Sequence, residues 1–156
     1  MLVNSDSSVR NSNLTHKRAD LAPARHQKMN ESSECPFCSL LEHRILFACG
    51  LALAFRDAFP VSPGHTLVIP SRHVKSIFDL KDVERDDLFQ TLTTARDQLI
   101  SELKPDGFNV GINDGLSAGQ TVMHLHVHLI PRFAGDKSDP RGGVRWIFPE
   151  KAKYWL

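Results

Sequence analysis

The amino-acid sequence predicts an α+β fold in which a mostly antiparallel sheet of about five strands packs against one long helix. Three observations support this prediction: five short β-type runs bounded by turn residues, one stretch with apolar residues at helical spacing, and the order of these elements along the chain. With 156 residues and 41% hydrophobic content, the chain is long enough for one domain with a buried core.

Three strands are predicted before the helix. Two β-type runs flank Gly50, which is typical of a hairpin, and a third follows a loop marked by proline and glycine and stops at Pro70. A short helical stretch that includes Leu40 and Leu41 is predicted to precede the hairpin. The three strands are predicted at residues 45–49, 51–55 and 65–69.

The long helix is predicted from apolar residues that recur at three- and four-residue steps, namely Leu88, Leu92, Ala95, Leu99 and Leu103. Acidic residues gather near its start, where the helix dipole favours negative charge; they are Asp82, Glu84, Asp86 and Asp87. Pro105 and Gly107 are predicted to end it.

Two further strands are predicted after the helix, at residues 108–112 and 122–130, with a glycine-containing loop at 113–120 between them. Successive side chains of a strand point to opposite faces of the sheet. The last strand therefore presents three histidines on one face, His124, His126 and His128, and four apolar residues on the other, Met123, Leu125, Val127 and Leu129. Such regular alternation indicates a functional site.

A site in which all three histidines bind one metal ion is excluded by distance. His124 and His128 lie about 13 Å apart along a regular strand, whereas zinc–nitrogen bonds are about 2.0–2.1 Å. At most two of the rings can share an ion, so at least one is left for other chemistry. A neutral imidazole can attack a phosphoryl group, and a neighbouring histidine can orient it or protonate the leaving group. His126, with a histidine two positions away on each side, is the predicted nucleophile.

Cys35 and Cys38 have the spacing of paired zinc ligands or of a redox disulfide. The surrounding sequence shows no βαβ unit, which argues against a thioredoxin-like role. A cysteine pair needs two further ligands to complete a structural zinc site, and two free thiols are the alternative. Reduced cysteines and the lack of a secretory signal predict a cytoplasmic location.

Charge and hydropathy exclude two classes of partner. Nineteen Lys and Arg against eighteen Asp and Glu give a formal net charge of +1, so no nucleic-acid partner is expected. No apolar run approaches the roughly 18 residues of a membrane-spanning helix, so no membrane association is expected.

Residues 1–32 are predicted to form a flexible basic tail, because the segment is rich in Ser and Asn and poor in the residues that build a core. Its composition also faintly resembles an organelle transit peptide, and an upstream extension before Met29 is a further possibility. Residues 33–156 are predicted to form the catalytic domain.

The segment His124-Leu125-His126-Val127-His128-Leu129-Ile130 resembles the signature of the histidine triad (HIT) family at every position. The resemblance extends to residues 63–70, to Asn113-Asp114-Gly115 and to Gly119-Gln120. It implies a nucleotide-binding enzyme that transfers a nucleoside monophosphate through its middle histidine, commonly as a homodimer.

The resemblance also assigns site residues. The implied catalytic residues are His126, His128 and His65. The implied nucleotide-binding residues are Asp57, Asn113, Gly119, Gln120 and Thr121. The implied ligands of a structural zinc ion are Cys35, Cys38, His73 and His124.

The choice of substrate follows from two segments. Residues 128–136 resemble the dinucleoside-polyphosphate hydrolase branch of the family, and residues 139–146 resemble the end of bacterial diadenosine tetraphosphate hydrolase-like members. Hydrolysis of dinucleoside polyphosphates at the α-phosphate, through a nucleotidyl-histidine intermediate, is therefore predicted. Two further hypotheses are an adenosine phosphoramidate or aminoacyl-adenylate hydrolase, and a nucleotide-binding module without turnover.

Overall fold

A five-stranded sheet is the centre of the computed structural model, which describes residues 35–155. The predicted tail, residues 1–32, lies outside the described residues. The helices and strands are β1 Ile45–Cys49, β2 Ala52–Arg56, β3 Thr66–Pro70, α1 Asp82–Leu103, β4 Gly107–Gly111, β5 Val127–Arg132 and α2 Pro149–Ala152.

The strands lie in the order β1-β2-β3-β5-β4, and each neighbouring pair is antiparallel. The first three strands are neighbours in sequence as well as in space, whereas β5 inserts between β3 and β4. The predicted α+β fold is therefore confirmed. Because β5 has a partner on each side, the strand lies inside the sheet rather than at its edge.

The two faces of the sheet bury different residues. The face against α1 buries Ala54, Val68, Val127 and Leu129. The opposite face buries Leu53, Phe55, Leu67 and Ile69. His128 is paired in register with Leu67, so both side chains lie on this second face. The helix thus covers the back of the sheet, and the histidine side chains stand on the front.

Helix α1 buries the predicted apolar stripe. Leu88, Ala95 and Leu99 are at most 2% exposed, whereas Leu103 in the last turn is 38% exposed. The helix ends at Lys104, whose φ of +50° is in the left-handed region. Pro105 follows directly, in agreement with the predicted end of the helix.

Glu84 differs from the other acidic residues at the start of α1 because it is buried. Its carboxylate accepts two hydrogen bonds from the Arg72 guanidinium, at 2.7 and 2.8 Å, and one from the Lys81 amide at 2.9 Å. The hydrogen bonds from Arg72 are the largest of the effects that lower the pKa of Glu84, to about 2. This ion pair fastens the chain just after β3 to the first turn of the helix.

Gly64 is required where the loop before β3 touches α1. Its φ is +81°, and a Cβ at this position would lie 2.5 Å from Leu103 Cδ1 and 2.7 Å from Leu99 Cδ2. The close approach sets the position of His65, the next residue, at the beginning of β3.

The predicted helical stretch containing Leu40 and Leu41 is wrong. Residues 36–39 form a turn in which the amides of Cys38 and Ser39 both donate to the Cys35 carbonyl, at 3.1 and 3.2 Å. A 3-10 turn follows only at Glu42–Arg44. The chain curls tightly around Cys35 because both cysteines face the same cluster of side chains, and the spacing of two leucines carries no information about that constraint.

The last strand is shorter at its start than predicted. Strand β5 begins at Val127, not at residue 122, and it continues to Arg132. The Leu125 amide donates to the Val74 carbonyl at 2.6 Å, and the His126 ring bonds to the His124 carbonyl. The Leu125 amide and the His124 carbonyl therefore make these hydrogen bonds instead of pairing with a neighbouring strand.

The C-terminal residues fold back against β4 through a 3-10 turn at Gly143–Ile147. The Arg145 guanidinium donates to the carbonyls of Ala152 and Lys151, at 3.0 and 2.8 Å, and so closes this segment on itself. Within residues 35–155, no helix has both the length and the apolar character needed to cross a membrane.

Candidate functional site

Two cysteines and two histidines converge on the front of the sheet. Cys35 and Cys38 lie on the turn before β1, His73 follows β3, and His124 precedes β5. Their ligand atoms all lie within 4.8 Å of one another, although the residues span 89 positions of the chain. The pairing of β3 with β5 brings the two histidines together, so the arrangement is a product of the sheet topology.

The distances within this Cys/His cluster suit a tetrahedral metal ion. The Nδ1 atom of His124 lies 3.6 Å from both cysteine Sγ atoms, and His73 Nδ1 lies 3.1 Å from Cys38 Sγ. A zinc ion with bonds of about 2.3 Å to sulfur and 2.0–2.1 Å to nitrogen would separate a sulfur from a nitrogen by about 3.6 Å. Both His124 distances match this separation, whereas the distance from His73 to Cys38 is shorter. The two-sulfur, two-nitrogen donor set is also one that zinc prefers.

His124 is held in the form that a metal requires. Its Nε2 donates to the Pro70 carbonyl at 3.0 Å, so Nδ1 keeps the lone pair that faces the cysteines. The side chain is fully buried, and this burial is the main cause that lowers its pKa to about 4. The ring is therefore neutral at neutral pH, as metal ligation demands.

Within residues 35–155, one of the two ring nitrogens of His126 has no hydrogen-bond partner. Its Nδ1 lies 2.7 Å from the His124 carbonyl oxygen, which can only accept a hydrogen bond, so Nδ1 carries the proton. The lone pair of Nε2 is consequently free to act as a nucleophile. The residue is 6% exposed, which limits the motion of the ring.

A second cluster joins His128 to His65 and Asp57. The His65 Nε2 and His128 Nδ1 atoms are 3.0 Å apart, and the opposite side of the His65 ring lies 3.4 Å from an Asp57 oxygen. Burial lowers the pKa of His128 to about 4 and also lowers the pKa of His65, whereas Asp57 acts in the opposite direction on both. His128 is thus neutral at neutral pH, and its ring is oriented through Nδ1.

The predicted phosphate loop, residues 113–120, leaves β4 beside the histidines. Gly111, the last residue of β4, is paired with His128, so the loop begins two residues beyond that pair. Gly119 has a φ of +87°, and a Cβ there would meet nothing within 4 Å, so its backbone faces open space. Thr121, directly after the loop, is exposed.

Gln120 is buried and braces the loop through its side chain. Its Oε1 accepts from the Gly115 amide, and its Nε2 donates to the Lys75 carbonyl, both at 2.9 Å. The amide group is therefore engaged within the protein. The backbone amide of Gln120 also donates within the loop, to the Gly115 carbonyl at 3.2 Å. The predicted contact of Gln120 with a nucleotide stays a prediction, and it would need the second N–H of the side-chain amide.

Phe37 is a site residue that sequence reasoning missed. Its ring makes edge-on contacts with His124 and His126, at centroid distances of 5.9 and 5.4 Å, and with Phe55 at 5.4 Å. It therefore contacts both the Cys/His cluster and the predicted nucleophile. An aromatic residue placed between two metal-type cysteines was the available signal.

A five-stranded antiparallel sheet with one long helix behind it and alternating histidines in front defines the histidine-triad class of α+β domains. The chain belongs to the HIT family, because the HIT domain matches residues 41–135. The resemblance derived from the sequence motifs is thereby confirmed.

Two relatives and one solved structure illustrate this membership. The chain is 40% identical over 96 residues to an asymmetrical bis(5'-nucleosyl)-tetraphosphatase of Schizosaccharomyces pombe, over 62% of this chain and 53% of that protein. It is 38% identical to an AP-4-A phosphorylase of Mycobacterium tuberculosis, over 67% of this chain and 54% of that protein. The chain thus spans about half the length of either relative. A crystal structure of a HIT family member from Bacillus subtilis superposes with a TM-score of 0.61 at 32% identity, covering 65% of this chain and 75% of that one.

Proposed function

We propose that the protein is a nucleotidyl hydrolase that cleaves dinucleoside polyphosphates at the α-phosphate, with His126 as the nucleophile. The observation that carries the proposal is the hydrogen bond between His126 Nδ1 and the His124 carbonyl, at 2.7 Å. This bond assigns the proton to Nδ1 and leaves Nε2 with a lone pair on a ring that is otherwise enclosed.

The first step forms a phosphorus–nitrogen bond. His126 Nε2 attacks the α-phosphorus, and the bond from that phosphorus to the bridging oxygen breaks. The leaving nucleotide departs with the bonding electron pair and is protonated. His128 is neutral and is held through Nδ1 by His65, so it can donate a hydrogen bond from Nε2 to the departing oxygen, while the proton that the leaving nucleotide takes up comes from the solvent.

The second step restores the enzyme. Water attacks the phosphorus of the nucleotidyl-histidine, the phosphorus–nitrogen bond breaks, and its electron pair returns to His126 Nε2. The nucleoside monophosphate leaves, and the proton lost by the attacking water passes to the solvent. Catalysis in both steps depends on positioning the reacting atoms and on stabilising charge at the phosphoryl oxygens.

The remaining predicted residues have binding roles in this proposal. Asp57 would accept hydrogen bonds from the ribose hydroxyls, since each of its oxygens retains accepting capacity beyond its contacts with Phe59 and His65. Asn113 and Thr121 would contact the α-phosphate through side-chain or backbone donors in a small polar loop. The Gly119 amide already donates to the Leu116 carbonyl, so the role of Gly119 would be to let the phosphate approach the backbone closely.

The Cys/His cluster is proposed to bind a structural zinc ion through Cys35, Cys38, His73 and His124. The fit of the sulfur–nitrogen distances to a tetrahedron supports this assignment. Bound zinc would cross-link the turn before β1 to the segment that precedes β5, and it would take no part in the phosphoryl chemistry.

Substrate choice rests on the relatives. One is named a tetraphosphatase of dinucleosides and the other an AP-4-A phosphorylase, and both names involve cleavage of a dinucleoside polyphosphate. The second name favours one additional candidate, in which inorganic phosphate replaces water in the second step and a nucleoside diphosphate is released.

The test is incubation with diadenosine tetraphosphate in water enriched in ¹⁸O, with and without inorganic phosphate. We expect release of AMP and ATP, with the label in AMP. Release of ADP that depends on phosphate would instead identify a phosphorylase.

A parallel incubation with an adenosine phosphoramidate distinguishes a phosphoramidate hydrolase and a binding module from the proposed enzyme. Turnover of the phosphoramidate alone would replace the proposed substrate class. Binding of both compounds without release of any product would indicate a module without turnover.

A homodimer and a cytoplasmic location also stay predictions. Sedimentation or light scattering of the purified chain tests the first, and a mass of one protomer at micromolar concentration would contradict it.

A further inference from the structure

We propose that Asp114 is a positioning residue that holds the phosphate loop in its binding conformation by clasping it to a short strap, residues 72–77. The inference rests on the proposed function, because a nucleotide phosphate is what gives the loop, residues 113–120, something to contact. Asp114 itself is assigned no contact with the substrate.

The strap is anchored independently of the loop. At its start, Arg72 is bound by the buried carboxylate of Glu84 on α1. His73 belongs to the Cys/His cluster, and the Val74 carbonyl accepts the Leu125 amide at 2.6 Å. Three consecutive residues are therefore fixed by three different parts of the fold, which makes the strap a rigid support.

Two residues of the loop, Asp114 and Gln120, join it to this support through three hydrogen bonds. Asp114 Oδ2 accepts a hydrogen bond of 2.7 Å from the Ser76 hydroxyl and a longer one of 3.3 Å from the Ile77 amide. At the other end of the loop, Gln120 donates to the Lys75 carbonyl. The loop is thus held to adjacent strap residues at both of its ends.

Between those contacts the loop is held by its own short-range hydrogen bonds rather than by the core: the amides of Ala118 and Gln120 donate to the Gly115 carbonyl, and the Gly119 amide donates to the Leu116 carbonyl. Leu116 is 77% exposed, so the short 3-10 turn at Leu116–Ala118 is not packed into a core. Gly115 and Gly119 flank this turn with φ values of +89° and +87°, in a region that glycine leaves easily for others. Loss of one tether would therefore release a segment with high conformational entropy.

Asp114 adjoins Asn113, a predicted phosphate contact that lies two residues after Gly111, the residue paired with His128. A carboxylate that accepts a hydroxyl and an amide makes stronger hydrogen bonds than a neutral acceptor would. Removing it should displace Asn113 from the phosphate and weaken nucleotide binding, while the histidines keep their own hydrogen bonds.

The experiment compares Asp114→Ala, Ser76→Ala and the double variant with the wild type, with Asp86→Asn on the exposed surface of α1 as the control. Isothermal titration measures the Kd for AMP, and hydrogen exchange measures protection of the loop amides without ligand. We expect Asp114→Ala to raise the Kd about tenfold and to speed loop exchange, in line with the loss of a charge-assisted hydrogen bond. Ser76→Ala should act in the same direction, and the double variant should be no worse than Asp114→Ala alone.

If the wild type binds AMP and Asp114→Ala shows the same Kd and the same loop exchange, the positioning role of Asp114 is overturned and the proposed function is left intact. Fully additive effects in the double variant would also overturn it, because the two residues would then act separately. Absence of AMP binding by the wild type would instead overturn the proposed function, and the positioning role with it.

Discussion

His124 and His126 occupy equivalent positions in the alternating histidine motif, residues 124–128, but their surroundings differ. Both ring nitrogens of His124 face protein atoms, with the Pro70 carbonyl on one side and two cysteine sulfurs on the other. His126 donates from Nδ1 to the His124 carbonyl, and its Nε2 has no hydrogen-bond partner within residues 35–155. The comparison teaches that neighbours from other parts of the fold, rather than the alternation itself, distinguish the proposed metal-binding end at His124 from the proposed reactive end at His126.

The largest expected effect is at the reactive end. His126→Ala should lower kcat for the nucleotide substrate by at least about 10³-fold, because the covalent intermediate can no longer form. The zinc content should not change, since the His126 side chain is not among the four clustered ligands. Steady-state kinetics and elemental analysis of the same sample provide the two measurements.

His43→Ala is the matched control, because His43 is exposed on the turn before β1 and has no assigned role. A His126→Ala protein that turned over at the wild-type rate would remove His126 as the nucleophile and erase the proposed division of the motif.

The next largest effect is at the metal-binding end. Cys38→Ser should abolish stoichiometric zinc binding and destabilise the domain by about 2–5 kcal/mol, because a structural metal site contributes its binding energy to folding. Elemental analysis and urea unfolding measure these losses. Cys49→Ser, which changes a cysteine of β1 outside the cluster, should retain the metal. One zinc ion per chain in Cys38→Ser would show that the cluster is not the site.

The sequence was sufficient to predict the elements that depend on periodic patterns. Leu88, Ala95 and Leu99 share a helical face, and Leu125 and Leu129 share a strand face, so local spacing already determined which side chains are buried. Strand geometry also predicted that the three histidines cannot all share one ion, and the structure places His124 and His128 in different clusters. The proposed zinc role of His124 came from the family resemblance instead.

Features that depend on contacts between distant segments were not predictable in the same way. Strand β5 begins at Val127 because the Leu125 amide bonds to Val74, a residue far away in sequence. Phe37 and Asp114 acquire their contacts through the same long-range packing. No local pattern records which loop a backbone amide or a carboxylate will meet, so these details required the structure.

A smaller effect concerns the ion pair that anchors the strap beside the metal-binding end. Glu84→Gln should reduce stability at pH 7 by about 1–3 kcal/mol, less than a fully buried pair because Arg72 is 44% exposed. Folding lowers the pKa of Glu84 from 4.5 to about 2, so the carboxylate stabilises the protein above pH 4.5, and this contribution is lost as the pH falls toward 2.

Urea unfolding at pH 7 and pH 3.5 tests whether the stabilisation by Glu84 decreases as the pH falls. The difference between wild type and Glu84→Gln should shrink at the lower pH, whereas titrating histidines affect both proteins alike. Asp82→Asn, which removes an exposed partner of Arg85, should cost less than about 0.5 kcal/mol at either pH. A Glu84→Gln difference that stays constant between the two pH values would contradict the assignment of the stabilisation to this carboxylate.

The smallest expected effect comes from Phe37, whose replacement tests whether packing couples His124 to His126. Phe37 contacts the rings of both His124 and His126. Phe37→Leu keeps an apolar side chain but removes these edge-on ring contacts, worth about 0.5–1.5 kcal/mol for an aromatic pair. We expect a loss of about 1 kcal/mol in stability and a several-fold lower kcat, with zinc retained, because the His126 ring becomes less restricted while the four ligands remain.

Phe78→Leu is the control, since Phe78 is 84% exposed and its replacement removes little buried area. Kinetics, urea unfolding and zinc analysis of both variants separate three results. A lower kcat with full zinc content supports Phe37 as the link between the two ends. Loss of zinc would place Phe37 in the metal-binding end alone, and an unchanged kcat would show that the hydrogen bond to the His124 carbonyl is sufficient to hold the nucleophile.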